Sequence, residues 1–405
     1  MPRIIFTSAL TLWSMGKGHG GPAFTQTVQK YLQEGWDVYL ISDVPDNAAY
    51  PYMDASHNLV LNRSPFYRLS RIRKLGRIFQ VLNYYYINHQ FAKTAGKLLK
   101  ASAKDTIIYA YECDGLSGAK WVARKYHLPL VTRFQGTLLG VIPYRPLINR
   151  IKEWISYLGL SCPADLIIMT DDGSFGDQVL KHLGNTSPTM FWKNGLELLE
   201  LNFTDQQKEA MRRERRAALG FQEQDLMLLT VSRLVGWKRV ERSIHGLKQC
   251  ADRLPNARLV IVGDGAARAE LEALTASLDL QDRVIFTGSV PHDETYSYMT
   301  AADIFLSLYD MSNVGNPLLE AMTLGKCIVT LDVGNTREEI HDGENGILLT
   351  HETLNQLGDV LTRLGEDPEL RRRLGSAAAG YAKSHYWTWK ARMNAELEQV
   401  KKLLP

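Results

Sequence analysis

Short apolar runs alternate with helical stretches along almost the whole chain. Most runs are about four to eight residues long and rich in β-branched residues, which is typical of strands covered on both faces. They begin at Arg3, Asp37, Thr106, Leu130, Leu166 and Met190 in the first half, and at Leu226, Arg258, Arg283, Asp303, Lys326 and Gly346 in the second. Alternating strands and helices predict parallel sheets with helices on both faces. We therefore expect an α/β protein with two Rossmann-like domains.

The break between these domains falls where the apolar runs stop and a charged helical stretch, Gln206 to Ala218, takes their place. We accordingly assign residues 1–200 to the first domain and residues 201–380 to the second. The remaining residues, 381–405, belong to a long aromatic helical region. Its aromatic side chains predict that it packs on more than one element.

The amino-acid composition is that of a folded globular protein. The chain has 405 residues, of which 45% are hydrophobic and 22% are charged. These values exclude a disordered chain and a disulfide-stapled miniprotein, and the length allows two domains that each bury a core. The apolar stretch from Ile4 to Trp13 is too short to span a bilayer, and glycines follow it in place of a signal-peptide cleavage site. We expect it to form a buried first strand of a cytoplasmic protein.

The cysteines and histidines show no metal-binding pattern. Cys113, Cys162, Cys250 and Cys327 lie far apart and form no Cys-x-x-Cys pair, which indicates neither a structural zinc site nor a redox motif. We interpret them as reduced thiols. None of the ten histidines stands in a metal-binding motif, so we expect no metal.

Positive charge is concentrated in one stretch, although the formal net charge of the chain is only +3. No acidic residue lies between Asp54 and Asp105, and the ten basic residues there are Arg63, Arg68, Arg71, Arg73, Lys74, Arg77, Lys93, Lys97, Lys100 and Lys104. An amphipathic helix is predicted by the helical spacing of Leu69, Ile72, Leu75, Phe79, Leu82 and Tyr86. Two interpretations stay open: a helix packed on the first sheet with a solvated basic face, or attachment of residues 63–104 to an anionic membrane.

Ligands of parallel sheets bind at the carboxyl ends of the strands, so the loops after the strands are candidate sites. The first such loop, Gly16 to Pro22, is rich in glycine and leads into a helix near Ala23. Glycines let a backbone approach a phosphate closely, and a helix N-terminus offers N–H donors. No Lys-Ser or Lys-Thr pair follows, so the loop is not a P-loop, and a flexible turn is the alternative. A second loop, Gly263 to Gly265, lacks the third glycine of a dinucleotide fingerprint, which favours a structural turn.

The strongest local signal is the segment from Asp310 to Met322. Pro317 suits the first turn of a helix, so the residues before it form a loop with free N–H groups at the end of a strand. Such a loop is a candidate anion site. Glu320, one turn inside the helix, offers acceptors for two ribose hydroxyls. Alternatively, it is only an acidic residue near a helix N-terminus, where the helix dipole favours a negative charge.

Two cations, Arg233 and Lys238, follow the strand that begins at Leu226. Two positive charges beside helix N-termini neutralise a diphosphate well. Either residue alone would be better explained as solvated surface charge, so the prediction rests on the pair.

Together these motifs resemble those of family 4 glycosyltransferases with the GT-B architecture, which are retaining enzymes that use nucleotide sugars. The resemblance covers nearly the whole chain and is denser in the second half. The segments that carry it are Gly18 to Gly21, Lys193 to Glu197, Ser232 to Lys238, Val262 to Gly265, Phe286 to Gly288 and Asn316 to Met322. It implies two Rossmann-like domains with parallel sheets facing a central cleft. The first domain is then the acceptor side, the second binds the donor, and residues 381–405 cross back to the first.

The same resemblance assigns roles to individual residues. It implies that Arg233 and Lys238 bind the donor diphosphate, that Glu320 binds the ribose, and that these three are the catalytic residues. The backbone of Val314 to Leu319 is implied to cap the phosphates. The predicted donor-binding residues are Gly20, Gly21, Gly263, Ser312, Asn313, Val314, Gly315, Asn316, Leu318 and Leu319.

The chain departs from the family pattern in the donor site. The family usually has a second Glu eight positions before Glu320, whereas this chain has Ser312. Either Asp310 replaces it, or Ser312 and Asn313 hold the donor sugar. We expect the enzyme to be active, because the groups that stabilise the leaving diphosphate are all present.

A second departure lies in the first domain, where the family often has a His. The corresponding stretches here contain Glu112, Asp114 and Gln135, which are the candidate sugar contacts. Glu112 and Asp114 have the alternative role of capping the following helix.

The resemblance therefore predicts a retaining glycosyltransferase that moves a sugar from a nucleotide sugar to a glycan or lipid-linked acceptor in surface polysaccharide or glycolipid synthesis. Side chains and a helix N-terminus would stabilise the leaving diphosphate, so we expect no metal and no cofactor besides the donor. We expect no nucleic-acid partner, and a cytoplasmic location that includes the inner face of the membrane. Two alternatives remain, a nucleotide-sugar epimerase and a non-catalytic partner subunit that binds nucleotide sugar.

Overall fold

The computed structural model describes residues 1–8, 23–42, 56–61, 64–69, 76–140 and 151–405. The chain forms two compact units. The first contains Met1–Asp171, Phe175–Asn194 and Trp389–Pro405, and the second contains Asp172–Ser174 and Gly195–Thr388. The main segment of the second unit therefore begins before residue 200, and the residues from Trp389 onward are part of the first unit.

The first unit is built on a parallel sheet of seven strands. In chain order these are β1 (Arg3–Ser8), β2 (Asp37–Ser42), β3 (His57–Val60), β4 (Thr106–Tyr111), β5 (Leu130–Phe134), β6 (Leu166–Thr170) and β7 (Thr189–Trp192). Their order in the sheet is β3-β2-β1-β4-β5-β6-β7, so it reverses between β1 and β4. All the predicted runs of this half form strands, including the buried first strand. Only β3 was not predicted, because a four-residue edge strand gives too little periodicity.

Helices pack on both faces of the first sheet. They are α1 (Ala23–Gln33), α2 (Gly76–Leu99), α3 (Leu116–Tyr126), α4 (Trp154–Leu160), α5 (Gly176–His182) and the C-terminal helix (Trp389–Lys401). One core joins Ile5 to α2 and α3, and a second joins Ile4 and Phe6 to α1 and the C-terminal helix. Successive strand residues point to opposite faces, so continuous apolar runs are needed to fill both cores.

The second unit is built on a parallel sheet of six strands. In chain order these are β8 (Leu226–Val231), β9 (Ala257–Val262), β10 (Val284–Gly288), β11 (Ile304–Ser307), β12 (Cys327–Leu331) and β13 (Ile347–Leu349). Their order is β10-β9-β8-β11-β12-β13, so the order reverses between β8 and β11. The predicted α/β class with two Rossmann-like, parallel-sheet domains is confirmed.

The helices of the second unit are α6 (Leu198–Leu201), α7 (Asp205–Ala218), α8 (Glu241–Cys250), α9 (Arg268–Ser277), α10 (His292–Ala301), α11 (Asn316–Thr323), α12 (Thr336–Glu339), α13 (Leu357–Glu366) and α14 (Pro368–His385). The charged helix predicted between the domains is α7, which begins with a capping box between Thr204 and Gln207. The long helical region predicted at the end of the chain is divided between α14 and the C-terminal helix, which belong to different units.

Helix α2 differs from the predicted amphipathic helix in the face that it buries. Its core-facing residues include Tyr84, Ile87 and Phe91. Ile78 and Leu82 are instead exposed, at 59% and 40% of their surface, although Leu82 belongs to the predicted apolar stripe. Helical spacing tells which residues share a face but not which face meets the core, because that depends on neighbouring elements.

None of the described helices is long and apolar enough to cross a membrane. Each of the four cysteines is a free thiol, in agreement with the sequence.

Candidate active site

The candidate site lies at the carboxyl ends of β8 and β11, where the strand order of the second sheet reverses. Ligands of open parallel sheets bind at such a reversal, because the loops after the two strands diverge and leave a crevice. The loop after β8 carries Arg233 and Lys238, and the loop after β11 leads into α11.

Arg233 and Lys238 both lie close to the ring of Trp237. The guanidinium carbon of Arg233 is 5.7 Å from the ring centroid, and Lys238 Nζ is 4.5 Å from it. Lys238 Nζ is also 4.1 Å from the ring centroid of Tyr309, and it donates a hydrogen bond to Ser312 O at 3.2 Å. The structure therefore brings together the two cations that the sequence singled out, while their binding of a diphosphate stays a prediction.

The surroundings of Lys238 disfavour its protonated, positively charged form. Burial lowers the pKa of Lys238 to about 7, the carboxylate of Asp172 opposes the shift, and the Arg233 cation adds to it. Burial also raises the pKa of Asp172, although hydrogen bonds with Ser174 and Ser312 and the charge of Lys238 act in the opposite direction. A bound anion would favour the protonated form of Lys238.

Two glycines after β9 allow the loop after β8 to pack closely. A Cβ atom at Gly263 would lie 1.9 Å from Ser232 O, and one at Gly265 would lie 2.3 Å from Leu234 O. Gly263 has a φ of +134° and donates its N–H to Gly288 O at 2.9 Å. Because this N–H is used inside the fold, the structure favours the structural turn. The donor contact predicted for Gly263 stays a prediction.

The loop after β11 uses several of its polar groups to stabilise itself. Asn313 is buried, and its amide nitrogen donates to Tyr309 O at 3.0 Å and to Leu331 O at 3.1 Å. Val314 N donates to Asp172 O at 3.2 Å. Both amide hydrogens of Asn313 and the N–H of Val314 are therefore engaged within the fold. The donor contacts predicted for Asn313 and Val314 stay predictions.

The two residues considered in place of the missing Glu have different surroundings. Asp310 lies 2.6 Å from Arg242 Nη2 and 3.4 Å from Arg239 Nε, so two arginines already neutralise its carboxylate and make it a poor replacement. Ser312 has a left-handed backbone with a φ of +55°, and its carbonyl accepts the bond from Lys238. Ser312 thus joins the two loops of the site.

Helix α11 begins as the sequence predicted, with Pro317 in its first turn and Gly315 as the N-cap. Leu318 N and Leu319 N donate to Gly315 O at 3.0 and 3.4 Å, and proline has no N–H. The N–H groups of Leu318 and Leu319 are therefore already used in the first helical turn. Within the described part of the chain, the N–H of Gly315 has no acceptor and remains a candidate phosphate donor. The phosphate contact predicted for Asn316 stays a prediction.

Glu320 is buried within the site and is part of a chain of hydrogen bonds. Its Oε1 lies 2.9 Å from Nε2 of His292, the first residue of α10. The hydroxyl of Tyr296 lies 3.3 Å from His292 Nδ1 and 3.3 Å from Glu197 Oε2. Glu320 thus has a specific partner in addition to the helix dipole.

The candidate residues of the first unit also form a network. Glu112 has a φ of +65°, and its Oε1 accepts a hydrogen bond from Gln135 N at 2.8 Å. Gln135 Nε2 donates to the hydroxyl of Tyr111 at 2.8 Å. The N-cap residue of helix α3 is Gly115, so neither Glu112 nor Asp114 occupies the N-cap position. Burial raises the pKa of Asp114.

Two predicted donor-binding residues, Gly20 and Gly21, lie outside the described residues, together with the rest of the glycine-rich loop. Among the residues that are described, no cluster of three or more His, Cys, Asp or Glu side chains is arranged to hold a metal ion.

Three residues of the site were not predicted from the sequence: Asp172, Glu197 and His292. Asp172 follows β6 and His292 lies shortly after β10, so the rule that sites lie after strands was sufficient to propose both. Glu197 lies in a segment that carried the resemblance, but no role was assigned to it. No sequence signal pairs these residues with Lys238 or Glu320.

Comparisons with known proteins match part of the chain to glycosyltransferases. Residues 211–380 match the family described as Glycosyl transferases group 1. The alpha-D-kanosaminyltransferase of Streptomyces kanamyceticus is 32% identical over 45% of this chain and 47% of its own length. The alpha-monoglucosyldiacylglycerol synthase of Streptococcus pneumoniae is 26% identical over 53% of this chain and 48% of its own length. The chain thus spans about half the length of these relatives.

Solved structures match over the whole chain at low identity. Sucrose-phosphate synthase from Thermosynechococcus elongatus superposes with a TM-score of 0.75 at 20% identity, covering 100% of this chain and 99% of its own. Anabaena HepE in complex with UDP-glucose superposes with a TM-score of 0.73 at 19% identity, covering 98% and 100%. These likenesses show the fold. Residues 211–380 therefore match the Glycosyl transferases group 1 family, and the chain as a whole has the GT-B fold of these structural neighbours.

Proposed function

We propose that this protein transfers a sugar from a nucleotide sugar to a hydroxyl group of an acceptor, with retention of configuration. The observation that carries the proposal is the position of Arg233 and Lys238, which follow β8 beside the loop that leads into α11. Two cations and the N-terminus of a helix stabilise the charge that develops on a departing diphosphate. Glu320, one turn into the same helix, is suited to bind the hydroxyls of the ribose.

The nucleotide proposed for the donor is UDP, because a protein of the same fold has been solved with a UDP-sugar. HepE has been solved with UDP-glucose, which makes UDP and UDP-sugars the first ligands to test. The identity of the sugar depends on the surroundings of Ser312, because the family Glu is missing there.

In the proposed reaction, the bond between the sugar C1 and the diphosphate oxygen breaks as the acceptor oxygen forms its bond to C1 from the same face. The acceptor proton passes to a phosphate oxygen. Arg233 and Lys238 hold the negative charge of the leaving diphosphate, so the step is proposed to need no metal. Attack from the side of the leaving group retains the configuration at C1.

The acceptor is proposed to be a glycan or a lipid-linked molecule reached at an anionic membrane surface. The first half of α2 supports this, because Ile78, Leu82 and Tyr85 share one face and are 59%, 40% and 58% exposed. Further along the same face lie the exposed residues His89 and Lys93. A surface with both apolar and basic parts suits an anionic membrane.

Binding of a panel of nucleoside diphosphates and nucleotide sugars, measured by thermal stabilisation, tests the donor site. Replacing Arg233 or Lys238 with Ala is expected to weaken binding by about 1.5–3 kcal/mol each, the usual scale for a hydrogen bond to a charged group. Arg253→Ala and Lys248→Ala are matched controls, because these exposed residues of the same unit lie on α8 and in the turn after it. Unchanged affinity in both site variants would remove the assignment.

Transfer is tested with the donor that binds best and with lipid and oligosaccharide acceptors. Product formation with an α or β linkage matching the donor supports a retaining transferase. Release of an isomeric sugar without an acceptor would instead indicate an epimerase. Donor binding with neither transfer nor slow hydrolysis would indicate a non-catalytic partner subunit.

A further inference from the structure

Three elements of the second unit are joined by a chain of hydrogen bonds that ends at Glu320. The chain runs from Glu320 on α11 to His292 and Tyr296 on α10, and from Tyr296 to Glu197, the residue before α6. Both carboxylates therefore lie at the ends of the chain, and the imidazole and the phenol lie between them. Tyr296 is 2% exposed and the Glu320 side chain is 4% exposed, so water competes little for these bonds.

The directions of these hydrogen bonds can be deduced by counting protons. An ionised carboxylate only accepts, so the single hydroxyl proton of Tyr296 is donated to Glu197. The Tyr296 oxygen must then accept from His292 Nδ1, and Glu320 must accept from His292 Nε2. With both carboxylates ionised, both ring nitrogens of His292 would carry a proton, which would make the ring an imidazolium cation.

The surrounding charges are consistent with this assignment. Burial alone would lower the pKa of His292, but the hydrogen bond and charge of Glu320, together with Glu197 and Asp293, raise it overall. Burial and the charges of Glu320 and Glu197 raise the pKa of Tyr296, so its hydroxyl keeps its proton at neutral pH. The cation thus stands among three carboxylates from three elements.

The bond to His292 fixes one oxygen of Glu320 and leaves the other available. No described residue donates a hydrogen bond to Glu320 Oε2. A ribose presents two neighbouring hydroxyl donors, and a carboxylate with a fixed orientation binds them without a further loss of side-chain freedom.

We propose that His292 is a positioning residue held as an imidazolium, which orients Glu320 for the ribose hydroxyls of the nucleotide and makes ribose recognition dependent on pH. This proposal rests on the proposed function, because it needs a nucleotide in the site. His292 acts through Glu320 and does not itself contact the reacting atoms.

The measurement is the ratio of the affinities for UDP and 2′-deoxy-UDP, since the 2′-hydroxyl is one of the two hydroxyls that Glu320 would recognise. His292→Leu is expected to lower the UDP affinity about tenfold and to change the 2′-deoxy-UDP affinity little, so the ratio falls. His292→Gln, which keeps an N–H donor, is expected to restore part of the ratio. Tyr296→Phe, which removes the acceptor of His292 Nδ1, provides a second variant if His292→Leu fails to fold.

The pH dependence separates this role from that of Lys238. As pH rises, both His292 and Lys238 lose a proton, and both losses weaken UDP binding. Loss of the Lys238 charge affects UDP and 2′-deoxy-UDP alike, so it cancels in the ratio, whereas loss of the His292 proton lowers the ratio. The wild-type ratio is expected to fall as pH rises through the pKa of His292, and the ratio of His292→Gln to stay constant.

The outcomes distinguish this proposal from the proposed function. If no nucleotide binds the wild-type protein, both fail. If UDP binds and Arg233→Ala weakens both nucleotides equally, but His292→Leu and pH leave the ratio unchanged, only the role of His292 is overturned. Nitrogen NMR of the full chain tests the charge without any ligand, and a neutral His292 ring at pH 7 would also overturn the proposal.

Discussion

Lys238 combines a positive charge with a partly buried position that disfavours it. Its pKa is lowered to about 7, so at neutral pH the ligand-free protein holds this proton only weakly. In the unfolded chain the same group keeps its proton up to about pH 10.4. The unfolded state therefore binds more protons between these values, and the Lys238 contribution to stability rises with pH from about 7 towards 10. The buried charge of Lys238 therefore lowers the stability of the ligand-free protein and is suited to binding an anion.

We predict that Lys238→Met stabilises the ligand-free protein and weakens diphosphate binding by about 1.5–3 kcal/mol, as expected for Lys238→Ala. Methionine fills a similar volume without a charge to desolvate, so the free energy of unfolding at pH 7 should rise by about 1 kcal/mol. The pH dependence of the melting temperature between about 7 and 10 should flatten. Thermal melting at several pH values, with and without UDP, measures both effects. A lower melting temperature with UDP binding retained would contradict this account.

Ser312 is the second residue whose surroundings suggest an experiment. We predict that Ser312→Glu changes donor preference or abolishes turnover while diphosphate binding remains. The new carboxylate would lie near Asp172, which hydrogen-bonds with Ser312 in the wild type, and would repel it. Ser312→Gln is the matched control, because it has the same size without the charge. Wild-type turnover and donor preference in Ser312→Glu would show that the position is not a sugar contact.

At the scale of elements, α2 shows how one helix serves both a core and a surface. Ile87 and Phe91 join the core of the first sheet, and Tyr84 is buried beside Ser117 and Trp154, whereas Ile78 and Leu82 remain in solvent. Exposed apolar residues in one row are unusual on a surface that has only water as its neighbour. The basic residues farther along the same face extend this surface.

We predict that the protein sediments with vesicles that contain anionic lipid and not with neutral vesicles. Each Lys or Arg near an anionic surface contributes about 1 kcal/mol, and the apolar row adds to it. Ile78→Glu with Leu82→Glu should abolish sedimentation. Leu201→Glu is the control, since Leu201 is similarly exposed, at 45%, in the second unit. Equal binding to both kinds of vesicle, or to neither, would end the membrane proposal.

At the scale of the whole molecule, the end of the chain is held in the unit where the chain begins. Glu396 on the C-terminal helix lies 2.9 Å from Arg133 on β5 and 2.9 Å from Arg392, and all three side chains are fully buried. The hydroxyl of Tyr109 donates to the other oxygen of Glu396 at 2.7 Å. One buried carboxylate therefore compensates two guanidinium groups and ties the helix to the first sheet.

We predict that Glu396→Gln destabilises the protein by about 3–5 kcal/mol, because two buried cations lose their counter-ion. Glu398→Gln is the control, since the Glu398 side chain is 65% exposed and pairs only at the surface with Lys401. Denaturant unfolding of both variants measures the difference. Equal stability of the two variants would show that the buried ion pair does not hold the C-terminal helix.

The pattern of the sequence was sufficient to predict both sheets and to propose a candidate site. Strands of a parallel sheet are buried on both faces, so they read as continuous apolar runs that contrast with the helices between them. Because ligands bind after such strands, the positions of Arg233, Lys238 and Glu320 followed without any tertiary information. The short edge strand β3 was not predicted. It pairs with β2, and its four residues give little periodicity in the pattern of apolar residues.

Only the tertiary structure decided what each polar group of the site binds. Asn313 bonds to Leu331, Val314 to Asp172, and Glu320 to His292, in pairs that are widely separated along the chain. These partners meet because the strands take their order in the sheet, and that order is a property of the folded chain as a whole. From the sequence alone, every N–H group of a loop is a possible donor to a ligand. In the folded protein, most buried N–H groups donate instead to acceptors within the chain.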